Sequence, residues 1–147
     1  MVGSGEKLSD FTYIDNLVDA LLAAGDALEP GSAVAGEAYF VTNGESRSFW
    51  EFVAKLAIPL GHPGPKFKVP FRLAYGIAAI REKVDELRGR EVIGEEGGLS
   101  RFAIRYICTH HYFSIEKARQ QLGYEPAVSI DEGIEITCRH LEETGQV

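Results

Sequence analysis

The sequence predicts a mixed α/β fold, a parallel sheet with helices packed around it, and three observations carry that expectation. Short strand-like runs alternate with longer segments whose apolar residues recur every three or four positions. Cap and turn residues fall at most of the junctions between them. The 147 residues, 45% apolar and 25% charged, have the size and composition of one globular domain.

Residues 10–14 alternate enough for a short strand. Asp15 then stands where a helix N-cap belongs, before Leu17, Val18, Leu21 and Leu22 at helical spacing. That helix is expected to fade between Gly25 and Pro30, since proline cannot lie inside one. Residues 37–42, Glu-Ala-Tyr-Phe-Val-Thr, have the aromatic and β-branched content of a buried strand, the best in the chain, ended by the turn pair Asn43 and Gly44.

Ser48 and Glu51 have the spacing of a capping box, and Phe49, Phe52, Val53, Leu56 and Leu60 form the stripe of the helix it opens, stopped around Pro59 and Gly61. Residues 66–69 alternate as an exposed edge strand. Pro70, at a first-turn position, opens a long helix with the stripe Leu73, Ile77, Ile80, Val84 and Leu87, ending near Gly89. The charged, glycine-rich residues 90–98 read as a mobile loop. Residues 99–108 read as a helix on Phe102, Ile104, Tyr106 and Ile107, with a strand as the alternative. Residues 110–113 look like a short strand, Ser114 caps a helix over 115–122, and Gly123 is its left-handed stop. Ser129 and Glu132 form a second capping box, and Ile130, Ile134, Cys138 and Leu141 give the last helix its apolar face.

Charge and length narrow the function. With 15 Lys and Arg against 22 Asp and Glu, the chain carries −7 and lacks the concentrated basic surface that nucleic acid requires. The longest uncharged apolar stretch near the middle, residues 73–80, falls far short of the roughly 20 residues of a membrane span. The first residues lack the apolar run of a secretory signal. An intracellular, reducing setting follows as the expectation, with Cys108 and Cys138 as core thiols rather than a disulfide.

The motifs of nucleotide chemistry are missing. A dinucleotide fingerprint needs three glycines at fixed spacing, so that backbone can approach a pyrophosphate. Gly3 and Gly5 are followed by Leu8 where the third should stand, and Glu95 and Glu96 bring the wrong charge to the later glycine-rich stretch. A Tyr acid/base would need a Lys four residues on to lower its phenol pKa. Tyr13, Tyr39, Tyr75, Tyr106, Tyr112 and Tyr124 are followed there by Leu17, Asn43, Ala79, His110, Glu116 and Val128. Cys108, His110 and His111 are the one cluster of metal-ligand types, but adjacent strand residues face opposite ways. No catalytic and no metal residue is assigned.

Two pieces resemble a known family. The first is Leu-Ser-Asp-Phe-Thr-Tyr-Ile-Asp-Asn over residues 8–16, followed by Ala20, Ala23 and Ala24. The second is Tyr-Phe-Ser-Ile-Glu-Lys-Ala over 112–118, then Leu-Gly-Tyr-Glu-Pro over 122–126, then Ile130, Asp131, Glu132 and Gly133. Together they resemble the C-terminal half of an extended short-chain dehydrogenase/reductase. Between them, residues 36–43 with Phe49 and Trp50, and Val69-Pro70 with Ala74 and Tyr75, resemble the 3β-hydroxysteroid dehydrogenase branch, whose sterol-4α-carboxylate 3-dehydrogenases act in sterol biosynthesis. The likeness runs from about Gly3 to about Glu143.

That resemblance implies NAD(P)-dependent oxidation of a sterol 3β-hydroxyl, with loss of the 4α-carboxylate as carbon dioxide. It also implies that the glycine-rich loop and the Tyr and Lys pair belong to an N-terminal nucleotide-binding half absent from these residues. On this reading the chain is the substrate-side portion of a Rossmann-like fold, one domain over residues 1–147 with few short strands and five or six helices. It should bind no NAD or NADP and be inactive alone. A non-enzymatic binding module of the same fold, or a dehydrogenase/reductase for another small alcohol or a nucleotide sugar, is the alternative. Ser9 stands where nucleotide-sugar members carry an arginine, which suits an uncharged sterol. Asn16, Asn43, Trp50, Phe71 and Tyr75 are the candidate substrate-binding residues, each also readable as a cap, turn or core residue.

Some relatives anchor to the endoplasmic reticulum through an apolar extension of the helix that begins here at Pro70. In this chain that region turns charged at Arg81, Glu82 and Lys83, leaving a cytoplasmic or peripheral location with membrane contact through Phe71, Leu73 and Tyr75. An uncovered sheet edge and the stripe from Leu73 to Leu87 point to self-association. The family arrangement also places residues 11–14 beside residues 111–113, about 100 positions away.

Overall fold

The computed structural model describes residues 1–89 and 100–146, so the expected loop over 90–98 lies outside the described residues. The elements are β1 (Leu8–Ser9), α1 (Ile14–Ala27), β2 (Arg47–Ser48), α2 (Phe49–Ala57), α3 (Phe71–Leu87), α4 (Arg101–Ile107), α5 (Glu116–Leu122) and α6 (Ile130–Glu143). The class is the α/β predicted, with six helices around a sheet reduced to one antiparallel ladder pairing Leu8 with Ser48 and Ser9 with Arg47.

Other extended segments join that ladder through single bridges. Ser9 meets His111 in parallel, with Asp10 N donating to His111 O at 2.9 Å and His111 N to Leu8 O at 2.8 Å. The expected pairing of residues 11–14 with residues 111–113 does not form: the contact falls at Ser9 and Asp10, and Phe11 O accepts from Asn43 N instead. The shift arises because the chain turns into α1 already at Tyr13, whose N–H is taken by the Asn43 side chain at 2.9 Å. Asp15 consequently lies in the first turn and not at the cap.

Residues 37–42 correct the sequence reading. They carry no regular secondary structure, Thr42 lies in a bend, no ladder forms, and Phe40 is 56% exposed. None of the backbone N–H groups of residues 38–42 donates to another described residue. Strand composition is present and a strand partner is not. The 66–69 strand likewise shrinks to one bridge, Val2 with Val69, and the 110–113 strand to the His111 contact.

Helix termini follow local chemistry more faithfully. Ser48 accepts from Glu51 N at 3.4 Å and Ser129 from Glu132 N at 3.2 Å, and Gly123 ends α5 at φ 65°. Pro70 is the N-cap of α3, one position earlier than expected. Ser114 accepts from Glu116 N while Ile115 takes the N-cap of α5.

The interior is three small clusters. Val2, Ala74, Ala78 and Ile104 join the N-terminus to α3 and α4. Ala20, Ile115, Ala118 and Tyr124 join α1 to α5, with Tyr39 and Val41 against them. Ile130, Ile134 and Cys138 of α6 receive Phe11, Phe52, Leu56 and Leu60.

Candidate functional site

Asn16 is fully buried and uses all its hydrogen-bonding capacity. Its Nδ2 donates to Asn43 Oδ1 at 2.9 Å and to Val128 O at 2.7 Å, and its Oδ1 accepts from the N–H groups of Ala127 and Val128, each at 3.0 Å. Asn43 donates to Val128 O at 2.7 Å and accepts from Tyr13 N as well. The two amides lock the start of α1, the turn after residue 42 and the approach to α6 into one junction.

The aromatic candidates gather elsewhere. Trp50 and Tyr75 both pack on the Val2, Ala74, Ala78 and Ile104 cluster, and Trp50 Nε1 donates to Val2 O at 3.3 Å. Phe71 stacks on Tyr75 with ring centroids 5.4 Å apart, and the Arg105 guanidinium lies 5.7 Å above the Tyr75 ring. The structure thus divides the five candidates into an amide junction and an aromatic group.

A feature that sequence reasoning missed lies between α1, α2 and α6: an apolar groove of about 250 Å³ among Phe11, Tyr13, Phe52, Leu56, Ile134 and Thr137. Phe11 stacks on Phe52 at 3.8 Å, and Gly133 lets α6 close on the Tyr13 ring, which a Cβ would meet at 2.8 Å. The signal was a glycine inside the apolar face of α6, between Ile130 and Ile134.

The N-terminal glycines do not form a phosphate cradle. A Cβ on Gly3 would meet Cys108 Sγ at 2.9 Å and one on Gly5 would meet Met1 Sδ at 3.0 Å, so this chain's own side chains fill the space in front of both. Cys108 and Cys138 are free thiols in different clusters, each pushed above its ordinary pKa chiefly by burial. His110 Nδ1 accepts from Leu8 N, and His111 stacks on Tyr106 at 4.0 Å. Among the described residues no group of three or more His, Cys, Asp or Glu could hold a metal. No helix among them is long and apolar enough to cross a membrane.

Comparison with known proteins supports the dehydrogenase likeness of these segments. Residues 1–71 match the model of the 3-beta hydroxysteroid dehydrogenase/isomerase family. The chain belongs to that family. It is 42% identical over 91% of its length to the 2-alkyl-3-oxoalkanoate reductase of Stenotrophomonas maltophilia, and 32% identical over 95% to the mouse sterol-4-alpha-carboxylate 3-dehydrogenase, decarboxylating. It spans only 40% and 38% of those proteins. Among solved structures it resembles gox2253, at TM-score 0.63 and 19% identity over all of this chain and 40% of that one. It also resembles the UDP-glucuronic acid 4-epimerase of Bacillus cereus in complex with NAD, at 0.58 and 19% over 98% and 34%. These two establish the fold alone.

Proposed function

We propose that these residues are the substrate-side portion of an NAD(P)-dependent oxidoreductase acting on a secondary alcohol or its ketone, with the nucleotide chemistry supplied by polypeptide outside the 147 residues. The observation that carries this reading is the pairing of near-complete coverage of the chain with about two-fifths coverage of its relatives. Residues 38–42, with five backbone N–H groups free of partners among the described residues, are where a strand from the remainder would pair.

The relatives' names share a reacting unit. A sterol 4-carboxylate oxidised at its 3-position and a 2-alkyl-3-oxoalkanoate both place a carbinol or carbonyl carbon β to a carboxylate, with an alkyl branch between. The substrate class proposed here is that 2-alkyl-3-hydroxy or 3-oxo acid, carried on a sterol or on long alkyl chains. Trp50, Phe71 and Tyr75 offer apolar surface to such a body, and the buried Ser9 adds no charge. Asn16 and Asn43 act on substrate only through the junction they hold.

Two preparations test the reading: the chain alone, and the chain co-expressed with the nucleotide-binding part of the Stenotrophomonas reductase that its match leaves out. Nicotinamide absorbance is followed with a 2-alkyl-3-hydroxy acid. Turnover is expected only from the pair. Turnover by the chain alone, or a pair that neither associates nor turns over, overturns the proposal, and the second result would favour a non-enzymatic module.

A further inference from the structure

The groove between α1, α2 and α6 has a built floor and a built wall. Ile130, Gly133 and Ile134, all buried, form the floor, and the Phe11 ring lies flat on Phe52 at 3.8 Å and 10° beside it. Leu56 continues the apolar lining, and the Tyr13 ring reaches α6 because Gly133 has no side chain. The hydroxyls of the two lining threonines are already committed. Thr12 Oγ1 donates to Val41 O at 3.3 Å, and Thr137 Oγ1 donates to Gly133 O at 2.7 Å. At about 250 Å³ the space is larger than the roughly 150 Å³ at which a dry apolar cavity takes benzene.

We infer that this groove binds a saturated alkyl chain with an uncharged head, such as that of a fatty alcohol. The lining selects the occupant. A polypeptide segment would bring backbone N–H and C=O groups against threonines whose bonds are spent, and would leave those groups unpaired. Methylenes need only the apolar contact that the groove supplies. Charge then selects the head. Across Ile134 the space between α2 and α6 continues past Lys55, Asp131, Glu135, Arg139 and Glu142, where three acids face two cations and Lys55 is already held by Asp131 at 2.5 Å. An anionic head is disfavoured there, which separates this ligand from the substrate class proposed above, whose carboxylate sits at the base of its alkyl branch. The two places are also distinct in the fold: Trp50 and Tyr75 pack on the cluster of Val2 and Ile104, whereas the groove stands on the Ile130 and Ile134 cluster of α6.

The test is titration of the full chain with straight-chain 1-alkanols, read by calorimetry and by methyl NMR. Saturable shifts are expected at the Leu56, Ile130, Ile134 and Thr137 methyls. Affinity should rise about fourfold with each methylene added to 1-butanol, then level off once the chain outgrows the groove. Octanoate should bind at least about fivefold more weakly than 1-octanol, and 2-octyl-3-hydroxybutanoate should not displace the alkanol. Thr137→Phe should fill the groove and weaken 1-octanol binding by about tenfold or more. If that variant fails to fold, Ile14→Trp, at an exposed position on the rim, carries the same expectation with unchanged circular dichroism. Shifts that instead follow Leu73, Ile77 and Ile80 of α3, affinity that climbs without levelling, binding of either acid as tight as that of 1-octanol, or filled variants that bind like the parent would each overturn the inference. So would loss of alkanol binding on adding the complementary nucleotide-binding polypeptide, which would assign the groove to a protein contact.

Discussion

Helices α1 and α3 each turn an apolar face away from the interior, yet they are held and bordered in opposite ways. Behind α1 is a polar junction of neutral amides, and its outer face of Ile14, Val18, Leu21 and Leu22 is bordered by Asp15, Asp19 and Asp26. Behind α3 is an alanine seam against Ile104, and its ridge is bordered by the ion pairs Arg81–Asp85 and Lys83–Glu86. An exposed apolar stripe is thus not one signal. On α1 the border is acidic, and on α3 cations alternate with the acids that pair with them, Arg81 with Asp85 and Lys83 with Glu86.

The sharpest way to break this contrast is to remove its two anchors. Ile104 and Asn16 are the largest fully buried side chains, one apolar and one polar. Asn16→Ala leaves the buried N–H groups of Ala127 and Val128 without their partner, and a cost of about 4 kcal/mol is expected in urea unfolding. Ile104→Ala opens a cavity between α3 and α4 at about 3 kcal/mol. If Asn16→Ala costs under about 1 kcal/mol, the polar junction is not what holds α1.

How far these roles were legible in the sequence depended on whether each was decided locally. The Ser48 and Ser129 caps, the stop at Gly123 and the stripes of α2 and α6 are settled within one or two turns of chain, and they stand where the sequence puts them. Residues 37–42 were misread because strand propensity reports side chains, while a strand also needs a neighbour's backbone. On α1 the large residues Leu21 and Leu22 look like the core, but the buried face is Asn16 and Ala20, small or amide-bearing because the Val128 backbone comes close. That face became visible only once residues 112 positions apart had met. The groove beside Gly133 was hidden for the same reason.

Gly133→Ala sharpens the α1 side at smaller amplitude. The new methyl would sit 2.8 Å from Tyr13 Cδ2 and 3.1 Å from Cγ, so the ring or the helix must move. Overpacking of about 1–3 kcal/mol is set against a helix-propensity gain of about 1 kcal/mol, leaving a net loss of about 1 kcal/mol. In a Tyr13→Ala background the same change should become stabilising. A loss that persists there would mean that Tyr13 is not what Gly133 accommodates.

The smallest expected effect is one of pH, and it separates the two sides by chemistry. Bonds from the Arg101 backbone and side chain hold the Glu82 carboxyl below its ordinary 4.5, tying α4 to α3. A carboxyl whose pKa is depressed by folding contributes stability that is present above the unfolded value and lost as pH falls through the folded one. The Arg101 end of the pair is half exposed, so salt weakens it. The Asn16 junction contains no titrating group. The difference in urea midpoint between the parent and Glu82→Gln should therefore be small and constant from neutral pH down toward 4.5, then fall and vanish below the depressed folded value, and it should shrink in high salt. Over the same range, amide exchange in α4 should quicken while the Asn16 side-chain amide keeps its protection. Equal loss at both places would mean that acid opens the whole molecule at once, and that the two sides are not separately held.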